Sequence, residues 1–150
     1  MPFPTVSLVI PVFNESSRIT LLFQGLDEFA LAWKAPYEVI LVNDGSLDDT
    51  ETLIRQHPSF QRMLEAGQIK LINQDNTGKG GALKHGVREA RYDYILTLDA
   101  DMATRPVELL RWLEIRKAFR PGEILIGSRE LSSSVIESSV VRRRIGMVFN

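Results

Sequence analysis

The 150-residue chain has no cysteine. That excludes disulfides, thiolate metal sites and cysteine nucleophiles, and it accords with a cytoplasmic protein. Histidine is nearly absent: His57 and His85 are too isolated from each other to suggest a catalytic pair or a metal site, and each reads as a surface or helix residue. An excess of one charge is also missing. Eighteen Lys and Arg face nineteen Asp and Glu, a net charge of -1, so the basic surplus expected of a general nucleic-acid binder is not there and no nucleic-acid partner is expected. Long apolar runs are lacking too. None approaches a membrane span, and Met1-Pro2-Phe3-Pro4-Thr5 has neither the basic segment nor the apolar stretch of a signal peptide. These features predict a soluble chain.

What is present is the profile of a globular domain, 44% hydrophobic and 25% charged. A domain of this length buries about two-thirds of the surface its unfolded form exposes. We find no internal repeat, low-complexity tract or linker, so residues 1–150 are taken as one domain. The chain stops at Asn150 inside the amphipathic stretch from Val140, without a polar tail or capping glycine. This predicts a truncated protein whose C-terminal acceptor part is missing, and an apolar surface around Ile145, Val148 and Phe149 that favours self-association.

Short β-branched runs alternate with segments of helical periodicity. Val6 to Val12 reads as a buried strand, followed by a helix capped at Ser16 or Ser17 with Ile19, Leu22, Phe23, Leu26, Phe29, Ala30 and Trp33 at helical spacing. Pro36 ends it. Glu38 to Val42 predicts a second strand, stopped by Asn43-Asp44-Gly45-Ser46. Ser46 with Asp49, or Asp48 with Glu51, predicts a capping box for a helix through Ile54, which Pro58 breaks. Ile69 to Ile72 predicts a third strand and Gly78 to Ala90 a helix. Tyr94 to Leu98 predicts a fourth strand ending at Asp99. Pro106 suits the first turn of a helix with Val107, Leu110, Leu113 and Ile115 on its apolar face, and Glu123 to Gly127 reads as a fifth strand. This alternation predicts an α/β fold, a mostly parallel sheet covered by helices.

In such a sheet ligands bind beyond the carboxyl ends of the strands. Four predicted strand ends carry polar residues: Phe13-Asn14-Glu15, Asn43-Asp44-Gly45-Ser46, Asp99-Ala100-Asp101 and Gly127-Ser128-Arg129. Asp99 and Asp101 can present two carboxylates to one point, which suits Mg2+ or Mn2+ held between protein and diphosphate; alternatively they are two solvated aspartates of a turn. A calcium loop fits poorly because it lacks the glycine at its sharp bend. Asp44 follows a buried strand and can accept hydrogen bonds from a base or ribose. Glu15 either binds ribose or favours the start of the next helix. Asn76-Thr77-Gly78-Lys79-Gly80-Gly81-Ala82 is not a phosphate loop, because Gly80 follows Lys79 and the upstream glycine is missing. Nor is it a dinucleotide fingerprint, since Leu83 replaces the last glycine. It remains either an anion-approaching helix start with Lys79 as a charge, or a structural helix entry. Arg142, Arg143 and Arg144 form a solvated face or turn one guanidinium to the crevice.

Taken in order, Val9-Ile10-Pro11-Val12-Phe13-Asn14-Glu15, Val42-Asn43-Asp44-Gly45-Ser46-Leu47-Asp48-Asp49-Thr50, Asn76-Thr77-Gly78-Lys79-Gly80, Asp99-Ala100-Asp101 and Gly127-Ser128-Arg129 resemble the motif series of family 2 glycosyltransferases. The resemblance covers essentially the whole chain. It implies the GT-A fold, a Rossmann-like three-layer sandwich. Gly78 to Ala82, Asp99 to Thr104 and the arginine-rich end most resemble dolichyl-phosphate glucosyltransferases and related polyprenyl-phosphate enzymes. By that resemblance Pro11, Phe13, Glu15 and Asp44 line the nucleoside pocket, with Gly78, Lys79 and Ala100 also at the substrate. Asp99 and Asp101 serve nucleotide and metal, and Arg129 and Arg143 meet phosphates; Asp99, Asp101 and Arg129 carry the catalytic roles. Relatives that transfer mannose to dolichyl phosphate often carry a glutamine where this chain has Ala103, which favours the glucosyltransferase-like branch.

The implied activity is inverting, metal-assisted transfer from UDP-glucose, or GDP-mannose, to a polyprenyl or dolichyl phosphate at the cytoplasmic face of a membrane. A lipid phosphate is already ionised, so it needs positioning and charge compensation rather than a general base. Two alternatives stand beside this reading: a family 2 transferase acting on a saccharide hydroxyl, and a nucleotide-binding fragment without turnover.

Overall fold

A computed structural model describes residues 3–116 of the chain. Four strands, β1 (Val6–Val12), β2 (Tyr37–Asp44), β3 (Ile69–Gln74) and β4 (Tyr94–Thr97), form one sheet in the order β3-β2-β1-β4, and every pair is parallel. The helices are α1 (Ile19–Ala32), α2 (Thr50–Gln56), α3 (Pro58–Glu65), α4 (Gly78–Arg88) and α5 (Glu108–Arg116). The predicted fifth strand, Glu123 to Gly127, lies outside the described residues.

The side-chain period of two explains the layering. Val9 pairs with Ile40, and these with Val42 face α4, where Ala82 completes a buried cluster. Gly86 lets α4 come this close: a Cβ there would lie 2.4 Å from Val9 Cγ1 and 3.0 Å from Val42 Cγ2. Leu8, Ile10, Val39 and Leu41 alternate to the opposite face and are fully buried. On that side Phe29 of α1 meets Tyr37 edge-on at 5.4 Å, and Phe23 meets Phe60 of α3 at 6.4 Å. Phe23 and Phe29 are completely buried, and each such side chain stabilises the fold by about 1.5–3 kcal/mol. Helices thus cover both faces of a parallel sheet. No helix among the described residues is long and apolar enough to cross a membrane.

Local details differ from the sequence reading. Ser16 and Ser17 belong to a short 3-10 helix, Ser16–Arg18, and Arg18 rather than a serine precedes α1, without a side-chain cap. No capping box opens α2: Asp49 at its N-cap makes no side-chain cap bond, while Asp48 Oδ1 accepts from Thr50 N at 3.0 Å. Pro58 ends one helix and also begins another, because a proline at the first helical position gives up only an N–H that has no partner there. His57 is not a plain surface residue. Its Nδ1 accepts from Ser59 N at 3.2 Å and its ring stacks on Phe23 at 4.2 Å. In α5, Leu109 is buried, whereas Leu110 and Leu113 are only partly so.

Candidate active site

The carboxyl ends of β1, β2 and β4 and the start of α4 surround a cleft of about 430 Å³. Its lining includes Pro11, Phe13, Glu15, Asp44, Gly78, Lys79, Asp99, Ala100 and Asp101, so nine residues singled out from the sequence meet at one place. Arg18 and Asn76 also line it. Arg129 and Arg143, and with them Arg142 and Arg144, lie outside the described residues. Arg18 had one sequence signal, its position three residues after Glu15; Arg18 Nη1 donates to Glu15 Oε2 at 2.9 Å.

The β1 end is held by a reciprocal clamp. Asn14 adopts φ 53, a left-handed conformation that Asn tolerates better than most residues. Asn14 N donates to Ser46 Oγ at 3.0 Å and Leu47 N donates to Asn14 Oδ1 at 2.8 Å. Glu15 N donates to Thr50 Oγ1 at 2.8 Å, and Ser16 N to Asp48 Oδ2 at 3.1 Å. Burial works against ionisation of Asp48, but the hydrogen bonds from Thr50 and Ser16 outweigh it and hold the carboxyl at a pKa of about 2. Ser46, Asp48 and Thr50 therefore fix where Phe13 and Glu15 stand.

Asp44 is buried at the end of β2. Its Oδ1 accepts from Thr77 N at 2.9 Å, Thr77 Oγ1 at 3.2 Å and Gln74 Nε2 at 2.7 Å. Desolvation alone would raise its pKa. The hydrogen bonds from Thr77, Gln74 and the Gly78 backbone prevail, and the carboxyl lies below its ordinary value. Gly45, at φ 73, turns the chain directly afterwards, and a Cβ there would stand 2.9 Å from Asn76 N. Only glycine lets this turn lie against the loop that supplies Thr77.

After β4 the chain alternates. Leu98, Ala100 and Met102 are buried, while Asp99 is exposed and Asp101 half-buried. Three apolar anchors thereby hold the two acids at the cleft. Met102 has φ 53 and packs beside Gly25 of α1, where a Cβ would come within 2.8 Å of its Sδ. Asp101 Oδ1 accepts from Ala103 N at 3.0 Å. Asp99 Oδ1 meets Lys79 Nζ at 2.5 Å. No group of three or more His, Asp or Glu able to hold a metal occurs among the described residues. Two carboxylates and an open cleft fit a hard divalent cation that takes its remaining oxygen ligands from phosphate and water.

A parallel sheet with helices on both faces and a cleft at its carboxyl edge defines the class of open α/β domains that take ligands beyond their strand ends. The chain belongs to glycosyl transferase family 2, which residues 7–131 match. It is 36% identical over 149 residues to a dolichyl-phosphate beta-glucosyltransferase of Trichomonas vaginalis, covering 86% of this chain and 42% of that protein. It is 30% identical over 133 residues to an undecaprenyl-phosphate 4-deoxy-4-formamido-L-arabinose transferase of Pseudomonas fluorescens, covering 88% of this chain and 38% of the relative. The chain thus spans about two-fifths of the length of these relatives. Among solved structures it resembles a mannosyltransferase of Pyrobaculum calidifontis in complex with GDP-Man and Mn2+. The TM-score is 0.60 at 24% identity, covering 74% of this chain and 32% of that one. The fold is the GT-A fold.

Proposed function

We propose that the chain is the nucleotide-sugar-binding part of an inverting glycosyltransferase that passes a sugar, with UDP-glucose as the favoured donor, to a polyprenyl or dolichyl phosphate. The observation that carries this reading is the single cleft joining Pro11, Phe13, Glu15 and Asp44 to Lys79, Asp99 and Asp101. One end offers an apolar wall and an ionised acceptor, which suits a nucleoside; the other offers two carboxylates and a lysine, which suits a metal-bound diphosphate. The similarity to transferases named for dolichyl and undecaprenyl phosphate supports the acceptor class.

Asp99 and Asp101 would hold Mg2+ or Mn2+, which when bound would supply charge neutralisation for a departing diphosphate. Phe13 and Pro11 shape the wall against the base, and Asp44 accepts a hydrogen bond from the nucleoside. Lys79 and the first N–H groups of α4 face the phosphates.

The decisive experiment compares thermal unfolding of the protein with nucleotide sugars, with and without Mn2+. A ligand at about one hundred times its Kd adds about 2.7 kcal/mol. A Mn2+-dependent rise with UDP-glucose that disappears in Asp101→Asn is expected. A metal-independent response, or one unchanged in that variant, overturns the site. Transfer of glucose to polyprenyl phosphate by a chain that continues beyond Asn150 tests the acceptor.

A further inference from the structure

Asp44 does not stand alone under the cleft. Asp44 and Gln74 are register partners in β2 and β3, so their side chains leave the same face of the sheet, the face that α4 covers. Gln74 Nε2 donates to Asp44 Oδ1 at 2.7 Å and to Thr77 Oγ1 at 2.6 Å. Both amide hydrogens are thereby used. Its other end, Oε1, lies 2.7 Å from His85 Nδ1. His85 stands three residues after Ala82 and next to Gly86, the two α4 residues that pack against the sheet, which brings its ring to the sheet edge.

The chemistry fixes the direction of this chain of bonds. Turning the Gln74 amide over would set its oxygen against an ionised carboxylate, a repulsive contact. With the amide as described, Oε1 can only accept, so His85 Nδ1 carries the proton and Nε2 does not need it. We propose that His85, through Gln74, is a positioning residue that locks the Asp44 carboxylate as an oriented hydrogen-bond acceptor for the nucleoside. This rests on the nucleotide-sugar reading of the cleft. A carboxylate has about four acceptor sites. Donors from Gln74 and Thr77 converge on Oδ1, which fixes the carboxylate plane and leaves acceptor capacity for an N–H or O–H of the ligand. Without His85 the Gln74 amide is held at its Nε2 end alone, and the aim of Asp44 loosens.

Two measurements test this. The first needs no ligand: nitrogen NMR of the histidine rings in alkaline buffer, where imidazole is neutral. The expected result is the Nδ1–H tautomer for His85. An Nε2–H tautomer overturns the relay whatever the cleft binds. The second measures UDP and pyrophosphate binding, each with Mn2+, by calorimetry. His85→Leu and Gln74→Leu should each weaken UDP about three- to tenfold, the range of one lost hydrogen bond. The double variant should lose little more than either alone, because both break one chain. His85→Asn keeps an N–H donor at the Nδ1 position and should restore affinity to within about twofold. His85→Gln, with its donor further out, should not. Pyrophosphate binding at the Asp99 end should stay unchanged in all of them. Equal losses for UDP and pyrophosphate, or equal behaviour of the Asn and Gln variants, overturn the proposal. If wild-type protein binds pyrophosphate but not UDP, the nucleotide reading fails while the tautomer still judges the relay.

Discussion

Lys79 Nζ lies 2.5 Å from Asp99 Oδ1 and joins the first turn of α4 to the loop after β4. Both side chains are more than half exposed, so the pair is screened and weakly held. It places a cation on one of the two carboxylates that suit a metal. Lys79 and a divalent ion therefore compete for Asp99, and a diphosphate offers Lys79 a second anion to move to. In Lys79→Met, Mn2+ should bind the nucleotide-free protein about two- to fivefold more tightly, the scale of an exposed ion pair. Binding of UDP with Mn2+ should weaken, because a phosphate-facing charge is gone. Calorimetric titration of the metal alone decides this; an unchanged affinity contradicts the competition.

Gly86 is where α4 touches the sheet. Alanine favours helix over glycine by about 1 kcal/mol. Its Cβ, however, would meet Val9 Cγ1 at 2.4 Å and Val42 Cγ2 at 3.0 Å. Both valines are buried in strands and stiff at χ1, so α4 must move off the sheet, and overpacking of this kind costs about 1–3 kcal/mol. Gly86→Ala should therefore lower stability by up to about 2 kcal/mol in urea unfolding. A gain in stability would mean that α4 sits further from the sheet than described.

His57 makes stability depend on pH near neutrality. Burial lowers its pKa, the charge of Asp27 raises it and that of Arg62 lowers it again, with a net fall below the ordinary value. The unfolded chain then binds a proton more readily than the folded one. Stability is present above about pH 6.5, the unfolded value, and is lost as pH falls through the lower folded value. Protonation also removes the Nδ1 acceptor that caps α3. His57→Asn keeps a capping acceptor and cannot titrate, so its melting temperature should vary less with pH between about 7 and 5. An equal slope in both proteins counts against a lowered His57 pKa.

Asp48 governs a lower window. Its carboxyl sits at a pKa of about 2, below the roughly 3.9 of an unperturbed aspartate. It contributes stability above the unfolded value, and this is lost as pH falls toward the folded one. The same protonation loosens the bonds to Ser16 N and Thr50 N that tie the β1 end to the β2 end. Asp48→Asn should be less stable near neutrality and lose less between about pH 4 and 2. It should also bind UDP more weakly, since Phe13 and Glu15 hang on this clamp. A variant that melts like wild type throughout that range removes the clamp from the account.

The parallel order of the strands was legible because buried β-branched runs alternate with helical periods, and Gly45, Pro58 and Pro106 punctuate them. Asp44, Lys79, Asp99 and Asp101 could be picked out because each follows a strand or opens a helix, where side chains point beyond the sheet edge. The helix at Pro58 was missed because the same proline both breaks and begins a helix. Spacing places Asp48 at the start of α2, where its Oδ1 does accept from Thr50 N, but it cannot show that Oδ2 also accepts from Ser16 N, thirty-two residues away.

By itself, the sequence determined the α/β alternation, the residue types at the strand ends and the exclusion of cysteine chemistry, since these depend on local pattern and composition alone. Tertiary structure alone decided which strand ends meet, that Lys79 faces Asp99, and that His85 reaches Asp44 through Gln74. Those contacts join residues from different elements, and only the register of the sheet and the close approach of α4 at Gly86 bring them within hydrogen-bonding distance.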